Sequence, residues 1–339
     1  MADQQLFKKL VCFTDIHFGY KGDSKQHNQD CEDFVSWFIE EAKKFEAETC
    51  IFLGDWHHNR ARTNVSTMNY SLRNVERLGK AFKKFFFITG NHDLYYRDKR
   101  ELNSIEFSRN VDNVNIVSKP LNQDGVAIIP WLVGDEWKKI SRIKCKYMFG
   151  HFELPKFKMN AMVNMPETGQ LHAEDFIHPE YIFSGHFHKR QIQEKMIYIG
   201  NPFPHNYSDA WDDDRGMMFL EWDKEPFFKS WGEAPKYRKL ILSELLENPK
   251  SCLDSNTYAR IEMDISPTYE EIIYIKEIII DEYNPRDITL MPTQQDEYTE
   301  DFGGELNFES VDSLVLSHLE SIESNSIDNE LLARIYNTL

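Results

Sequence analysis

The chain has 339 residues, 41% of them apolar and 14% aromatic, with a formal net charge of −17. That length exceeds one small core and the composition is that of a globular protein, so two or three domains are expected and a fibrous or disordered chain is excluded. No apolar stretch approaches the length of a membrane span, Asp3 and the Lys8-Lys9 pair leave no signal-peptide pattern, and the acid excess excludes strong nucleic-acid binding by charge alone.

Residues 7–232 alternate strand and helix signals. An apolar run at 10–13 precedes Asp15-Ile16-His17, and 30–45 has helical patterning with Phe34, Trp37, Phe38 and Ala42 on one face. A second run at 50–53 leads into Gly54-Asp55-Trp56-His57-His58. The next helix is expected at 67–84. Around it lie Arg60, Arg62, Arg73, Arg77, Lys80, Lys83 and Lys84, read either as a solvated face or as a surface for phosphate or a subunit. Apolar runs at 85–88, 147–149 and 181–183 precede Gly90-Asn91-His92-Asp93, Gly150-His151 and Gly185-His186-Phe187-His188. Strands at 196–199 and 216–222, with the acidic loop 209–214 between them, are expected to close a sandwich as antiparallel strands. Pro226 and residues 232–235 read as a linker.

A small α+β unit follows, with a strand at 258–265, a helix at 269–281 and a strand at 287–291. Residues 293–309 read as an acidic tether. Two amphipathic helices are expected at 311–322 and 327–336, the second capped by Asp328. Residues 291–339 hold eleven acids against Arg334 alone, so −10 of the net charge lies there. The five cysteines have no paired spacing, which points to a reducing, cytoplasmic compartment.

The recurrent motifs place imidazole, carboxylate and amide groups at strand ends, the edge where α/β sheets bind ligands. Such groups suit divalent cations, and two cations sharing a carboxylate suit phosphate-ester hydrolysis. Each motif is weak alone; five in order, each behind a strand signal, are not. Isolated histidines are more often satisfied core or surface residues, and His27, His172, His178, His205 and His318 are assigned so.

Taken together, Asp15/His17, Gly54-Asp55, Gly90-Asn91-His92-Asp93, Gly150-His151 and Gly185-His186-Phe187-His188 resemble the calcineurin-like metallophosphoesterase superfamily. The resemblance implies a four-layer α/β/β/α sandwich. By it Asp15, His17, Asp55 and His188 would hold a first metal. Asp55 would bridge to a second metal completed by Asn91, His151 and His186. His92 would approach the scissile phosphate, with Asp93 orienting it by hydrogen bonding. The glycine before each ligand and the two-residue spacing of Asp15/His17 and His186/His188, read as extended backbone, agree with that division.

No aspartate-arginine-glycine triplet follows Asp55, which disfavours the protein-phosphatase branch. The chain instead is similar to DNA double-strand-break repair nucleases of the SbcD (meiotic recombination eleven) type, and in layout to the short bacteriophage recombination endonuclease subunits. The residues that carry this are His58, three positions after Asp55, Ile129-Pro130-Trp131, Gly150-His151-Phe152-Glu153-Leu154, Tyr198-Ile199-Gly200-Asn201-Pro202 and Asp214-Arg215-Gly216. The resemblance implies a nuclease domain over 1–235, a capping domain over 236–292, and a linker with C-terminal helices over 293–339 that dock an SMC-like, ABC-type ATPase. It further implies DNA as substrate, His58 as a second functional histidine, a homodimer, and two divalent ions. Manganese is the ion by resemblance; magnesium, iron or zinc also fit. Two rivals are a small-molecule phosphodiesterase or phosphomonoesterase on the same scaffold, and a scaffold protein that has lost its metals.

Overall fold

The computed structural model describes residues 5–159, 164–167 and 169–292. All of these belong to the first of two units, Met1–Thr293. The acidic tether and the helices expected at 311–322 and 327–336 lie outside the described residues.

The elements in chain order are β1 (Lys9–Phe13), α1 (Lys25–Phe45), β2 (Thr49–Phe52), α2 (Val65–Ala81), β3 (Lys84–Ile88), β4 (Val114–Val117), β5 (Leu121–Gln123) and β6 (Val126–Ile129). There follow β7 (Tyr147–His151), β8 (Tyr181–Gly185), β9 (Gln191–Gln193), β10 (Met196–Tyr198), β11 (Gly216–Glu221) and β12 (Phe227–Ser230). The last group is β13 (Lys236–Ile241), α3 (Leu242–Glu247), β14 (Thr257–Met263), α4 (Tyr269–Tyr283) and β15 (Asp287–Pro292).

Two six-stranded sheets, ordered β12-β11-β1-β2-β3-β4 and β5-β6-β7-β8-β10-β9, pack face to face. Alternation along each strand divides the core. Val11, Phe13, Cys50, Phe52, Phe85 and Phe87 point outward to Phe34, Phe38, Val75 and Leu78 of α1 and α2. Leu10, Cys12, Ile51, Leu53, Phe86 and Ile88 point inward, against Val126, Ile128, Phe149 and Phe183 of the other sheet. The far face of the second sheet, with Ala127, Met148 and Ile182, is covered by Ile140, Leu154, Phe157 and Phe176. Strands buried on both faces must be apolar at every position, which is why they read as unbroken apolar runs. The order of layers is the four-layer sandwich. Among the described residues its last layer is thin, made of short 3-10 segments such as Glu136–Arg142 and of loop.

Strands β1 to β4 run parallel, and α1 and α2 supply the first two crossovers. The Ser24 side chain caps α1 by accepting from His27 N at 3.3 Å, and Asn64 caps α2 by accepting from Ser66 N at 2.8 Å. The strands at 196–198 and 216–221 lie in different sheets: β10 is parallel to β8 and antiparallel to β9, whereas β11 is antiparallel to β1. The acidic loop between them carries the chain from one sheet to the other.

A third sheet, β13-β14-β15, is parallel throughout and packs Leu240, Ile261 and Ile279 into its own small core. Helix α4 begins at a capping box, Thr268 with Glu271. Polar contacts tie this module to the sandwich: Arg286 donates to both oxygens of Asp30 at 2.7 and 2.8 Å, and Arg238 pairs with Asp213 at 2.6 Å. Among the described residues no helix is long and apolar enough to cross a membrane.

Candidate metal centre

Seven side chains from both sheets meet at the carboxyl ends of their strands. Asp15 and His17 follow β1, Asp55 follows β2, and Asn91 follows β3. His151 is the last residue of β7, while His186 and His188 follow β8. Side-chain donor atoms of Asp15, His17 and His188 lie within 4.8 Å of one another, as do those of Asp55, His151 and His186. Asn91 joins the second group, its Oδ1 lying 3.0 Å from both His151 Nε2 and His186 Nδ1.

Asp55 stands between the two groups. Its Oδ1 accepts the His92 backbone N–H at 2.8 Å. Its Oδ2 lies 3.5 Å from His151 Nε2 and 3.8 Å from His17 Nε2. One oxygen therefore faces both groups while the other anchors the loop. Asp15 spans the sheets as well, accepting the His186 N–H at 3.0 Å.

The backbone at these positions is not extended. Asp15, His17, Asp55 and His186 have φ of 51, 52, 62 and 87°, left-handed values that non-glycine residues adopt at a cost of about 1–3 kcal/mol each. Their side chains converge because tight turns aim them, which corrects the extended reading of Asp15-Ile16-His17. Glycine is required by close approach. A Cβ on Gly90 would collide with the Asp55 carboxylate and backbone N, and one on Gly54, whose φ is 107°, would meet His151 Nδ1 and Gly90.

Burial shapes the charge here. It opposes ionisation of Asp55, but His151, His17 and His92 outweigh it and hold that carboxyl well below the usual range. His151 is the counterpart: burial opposes its charge, yet Asp55 brings it up to about 9. Burial, opposed by His151 and reinforced by the like charge of Asp55, pushes Asp15 up to about 7. Burial lowers His17 well below its ordinary value and takes His188 to about 4, so both imidazoles are neutral with lone pairs to offer. Both ring nitrogens of His17 are buried without a hydrogen-bond partner among the described residues. An unsatisfied buried imidazole is costly unless something completes it. The donor set is nitrogen plus hard oxygen, and it fits divalent cations, which replace the protons on such groups.

His17, His58 and His92 form a third convergent group. His58 stacks on His92 with ring centroids 5.3 Å apart, and its Nδ1 has no hydrogen-bond partner among the described residues. Burial and then the nearby His92 lower His58 to about 4. His92 donates from Nδ1 to the His58 carbonyl at 2.8 Å, leaving Nε2 as its working atom. This corrects the role expected for Asp93, which makes no hydrogen bond to the His92 ring. The Asp93 carboxylate accepts four backbone N–H groups, from Asp55, Trp56 and Gly90 at 2.9 Å and His57 at 3.1 Å. It locks the Asp55 turn to the Gly90 turn. His57 faces away, bonded to Ser104 and Ser71.

Three residues near the site were given no part in it by the sequence reading, although Glu153 and Arg215 lie inside motifs that carried the resemblance. His205 is buried as assigned, but its Nε2 has no hydrogen-bond partner among the described residues, and its ring lies 5.6 Å from His17 and 5.5 Å from His188. Arg215, fully buried, pairs with Asp209 and Asp212 at 3.2 and 2.9 Å and donates to the His188 carbonyl and Asn201, so it pins the His188 turn. Glu153 takes the hydrogen bond of His186 Nε2 at 3.0 Å, fixing the ring that presents Nδ1 to Asn91. Only proximity to recognised motifs could have flagged them. The basic stretch is largely spent on internal partners: Arg73 pairs with Glu32, Arg77 with Asn74 and Ser36, and Lys83 with Glu48.

Comparison with known proteins gives three findings. Residues 8–190 match the family model described as calcineurin-like phosphoesterase. The chain is 29% identical over 227 residues to Exonuclease subunit 1 of Enterobacteria phage T4, a match covering 64% of this chain and 66% of that protein, just short of two thirds of its length. Similar solved structures include the Pseudomonas putida nuclease MPE, at 19% identity and a TM-score of 0.30 over 56% of this chain and 66% of that one. Another is a dimetal phosphatase from Danio rerio, at 10% identity and a TM-score of 0.41 over 66% of this chain and 95% of that one.

Proposed function

The chain belongs to the calcineurin-like phosphoesterase family, and on that premise we propose that it is a two-metal-dependent DNA exonuclease and endonuclease, the nuclease subunit of a recombination and repair complex. The observation that carries the reading is Asp55 Oδ2, set between His17 Nε2 and His151 Nε2 with complete donor groups on either side. Asp15, His17, Asp55 and His188 would hold one divalent ion, and Asp55, Asn91, His151 and His186 would hold the other. A cation pair of this kind supplies charge neutralisation of the phosphoryl oxygens and a reactive water.

This chain's residues then do the rest. His92, kept in one orientation by the His58 carbonyl, presents Nε2 to the scissile phosphate. As the water oxygen bonds to phosphorus and the bond to the leaving sugar oxygen breaks, a proton from His92 passes to that oxygen, the water sheds a proton to solvent, and His92 regains one from solvent. His58, stacked on His92, limits the ring's freedom and lines the same wall. Asp93 fixes the turns on which Asp55 and Asn91 stand.

The name of the phage T4 relative, an exonuclease subunit, supports DNA as substrate and a multi-subunit assembly. In this reading residues 1–235 are the nuclease domain, 236–292 a capping domain, and 293–339 the segment that docks an SMC-like, ABC-type ATPase. The protein acts as a homodimer, with manganese as the working metal, in the cytoplasm of a host cell. Its acidity fits a subunit that draws DNA affinity from its partner.

Purified protein with manganese, with and without the ATPase, tests this on duplex and single-stranded DNA beside bis-p-nitrophenyl phosphate. Cleavage of DNA is expected. Strong turnover of the small diester with none of DNA, ATPase present, would establish the small-molecule hydrolase instead. Protein that takes up no manganese would be the scaffold.

A further inference from the structure

Beside the proposed second metal position lies a pocket that none of the chemistry above uses. Strand β6 ends at Ile129, and Pro130 carries the chain into Trp131, whose backbone N–H donates to Thr89 O at 2.9 Å. That bond ties Trp131 to the end of β3, two residues before Asn91. Its ring centroid lies 5.2 Å from that of His186 and 5.8 Å from that of His151. Trp131, Leu132, Trp137, His151, Phe152 and Glu153 line a cavity of about 190 Å³. Pockets that enclose a whole small-molecule ligand run to roughly 300–1,000 Å³, so this one suits a single ring system whose remainder stays outside.

The lining specifies the ring. Two indoles offer flat apolar surface. Glu153, its carboxylate partly exposed, stands among the same lining residues. A planar heterocycle wide enough to stack on indole, with an N–H to donate to Glu153, meets both. Nucleobases have that chemistry, and a base joined through one sugar to a phosphate at Asn91, His151 and His186 reaches this cavity.

We propose that the Trp131–Trp137 pocket holds one unpaired nucleobase of the nucleotide flanking the scissile phosphate. This rests on the nuclease reading and deepens it. A base paired inside a duplex cannot enter, because its faces and edge are occupied by the stack and the partner strand; it must first be extruded. The pocket therefore selects single-stranded or frayed nucleotides, and duplex interiors are cut only where a base leaves the stack.

Single-stranded oligonucleotides with one cleavable linkage test this, the flanking nucleotide on each side replaced in turn by an abasic tetrahydrofuran residue. On one side, wild-type protein with manganese is expected to cut the base-bearing linkage roughly 5- to 150-fold faster than the abasic one, the range that stacking of one base on an aromatic ring gives. Trp131→Ala and Trp137→Ala are expected to bring that ratio towards one, and Trp131→Phe to retain part of it. A ratio cancels any general loss of folding or metal in the variants. As a readout without catalysis, calorimetric titration of chelator-treated wild-type protein should give tighter binding of dAMP than of deoxyribose 5-phosphate. A wild-type ratio near one on both sides, or a ratio unchanged in both alanine variants, overturns the proposal while leaving the nuclease reading intact. No DNA cleavage at all, with bis-p-nitrophenyl phosphate still turned over, removes the nuclease reading and the pocket's role with it.

Discussion

Replacing Asp93 by Asn separates two roles for that residue. The carboxylate accepts four backbone N–H groups: Oδ1 takes Trp56 and His57, and Oδ2 takes Asp55 and Gly90. Asparagine keeps one oxygen, which serves two of the four, and sets an NH₂ group against the other two donors. Burial, then the like charge of Asp55, raises Asp93 to about 7, so above that pH two charge-assisted bonds are lost, each worth about 1.5–3 kcal/mol, and the cost is about 3–6 kcal/mol, much of the roughly 5–15 kcal/mol that stabilises a typical domain. At roughly 2–4 °C per kcal/mol for a domain of 150–250 residues, melting should fall by on the order of 10 °C. Metal uptake should weaken with it, because the donors released are those of the Asp55 and Gly90 turns. Thermal unfolding followed by circular dichroism, with metal content by mass spectrometry, measures both. A variant that melts at the wild-type temperature, keeps its metal and loses only turnover would refute this account and restore Asp93 as the group that orients His92.

Four further outcomes are expected. His92→Ala should retain metal, since His92 is not among the donors assigned to either ion, and should lose about 10²- to 10⁴-fold in hydrolysis of a poor leaving group; wild-type turnover would remove its role. Gly90→Ala drives a methyl group into the Asp55 carboxylate, so manganese content should fall in the purified variant, and undiminished content would contradict the packing. Chelation by EDTA should abolish hydrolysis and manganese should restore it. At 1,000 times its dissociation constant the ion should also stabilise the fold by about 4 kcal/mol, read as a rise in melting temperature. Truncation after Pro292 should leave manganese binding intact and abolish association with the ATPase, which a pull-down decides.

How much of this was legible beforehand follows from the range of the interactions involved. The strands are buried on both faces, so every position is apolar and the runs at Val11, Ile51 and Phe86 mark their elements unaided. The candidate donors were legible because imidazole and carboxylate groups recur behind those runs with glycines beside them, a local pattern that needs no knowledge of what lies opposite. Pairing was not local. Whether β10 meets β8 or β11 depends on where the 209–214 loop leads, and nothing in the strands' composition states it.

The primary structure by itself determined the alternation of strand and helix signals, the order of the motifs and which side chains are candidate donors, since these rest on residue type and on spacing within one element; the four-layer order and the share of each donor came from the resemblance to a family. Tertiary structure alone decided that a single oxygen of Asp55 faces both donor groups, that Asp93 holds backbone and not the His92 ring, that Arg215 pins the His188 turn, and that Trp131 and Trp137 line one cavity with His151. Each of these joins residues tens of positions apart or turns on left-handed backbone at non-glycine residues. Such geometry is imposed by the packing around a residue, and no propensity of the residue announces it.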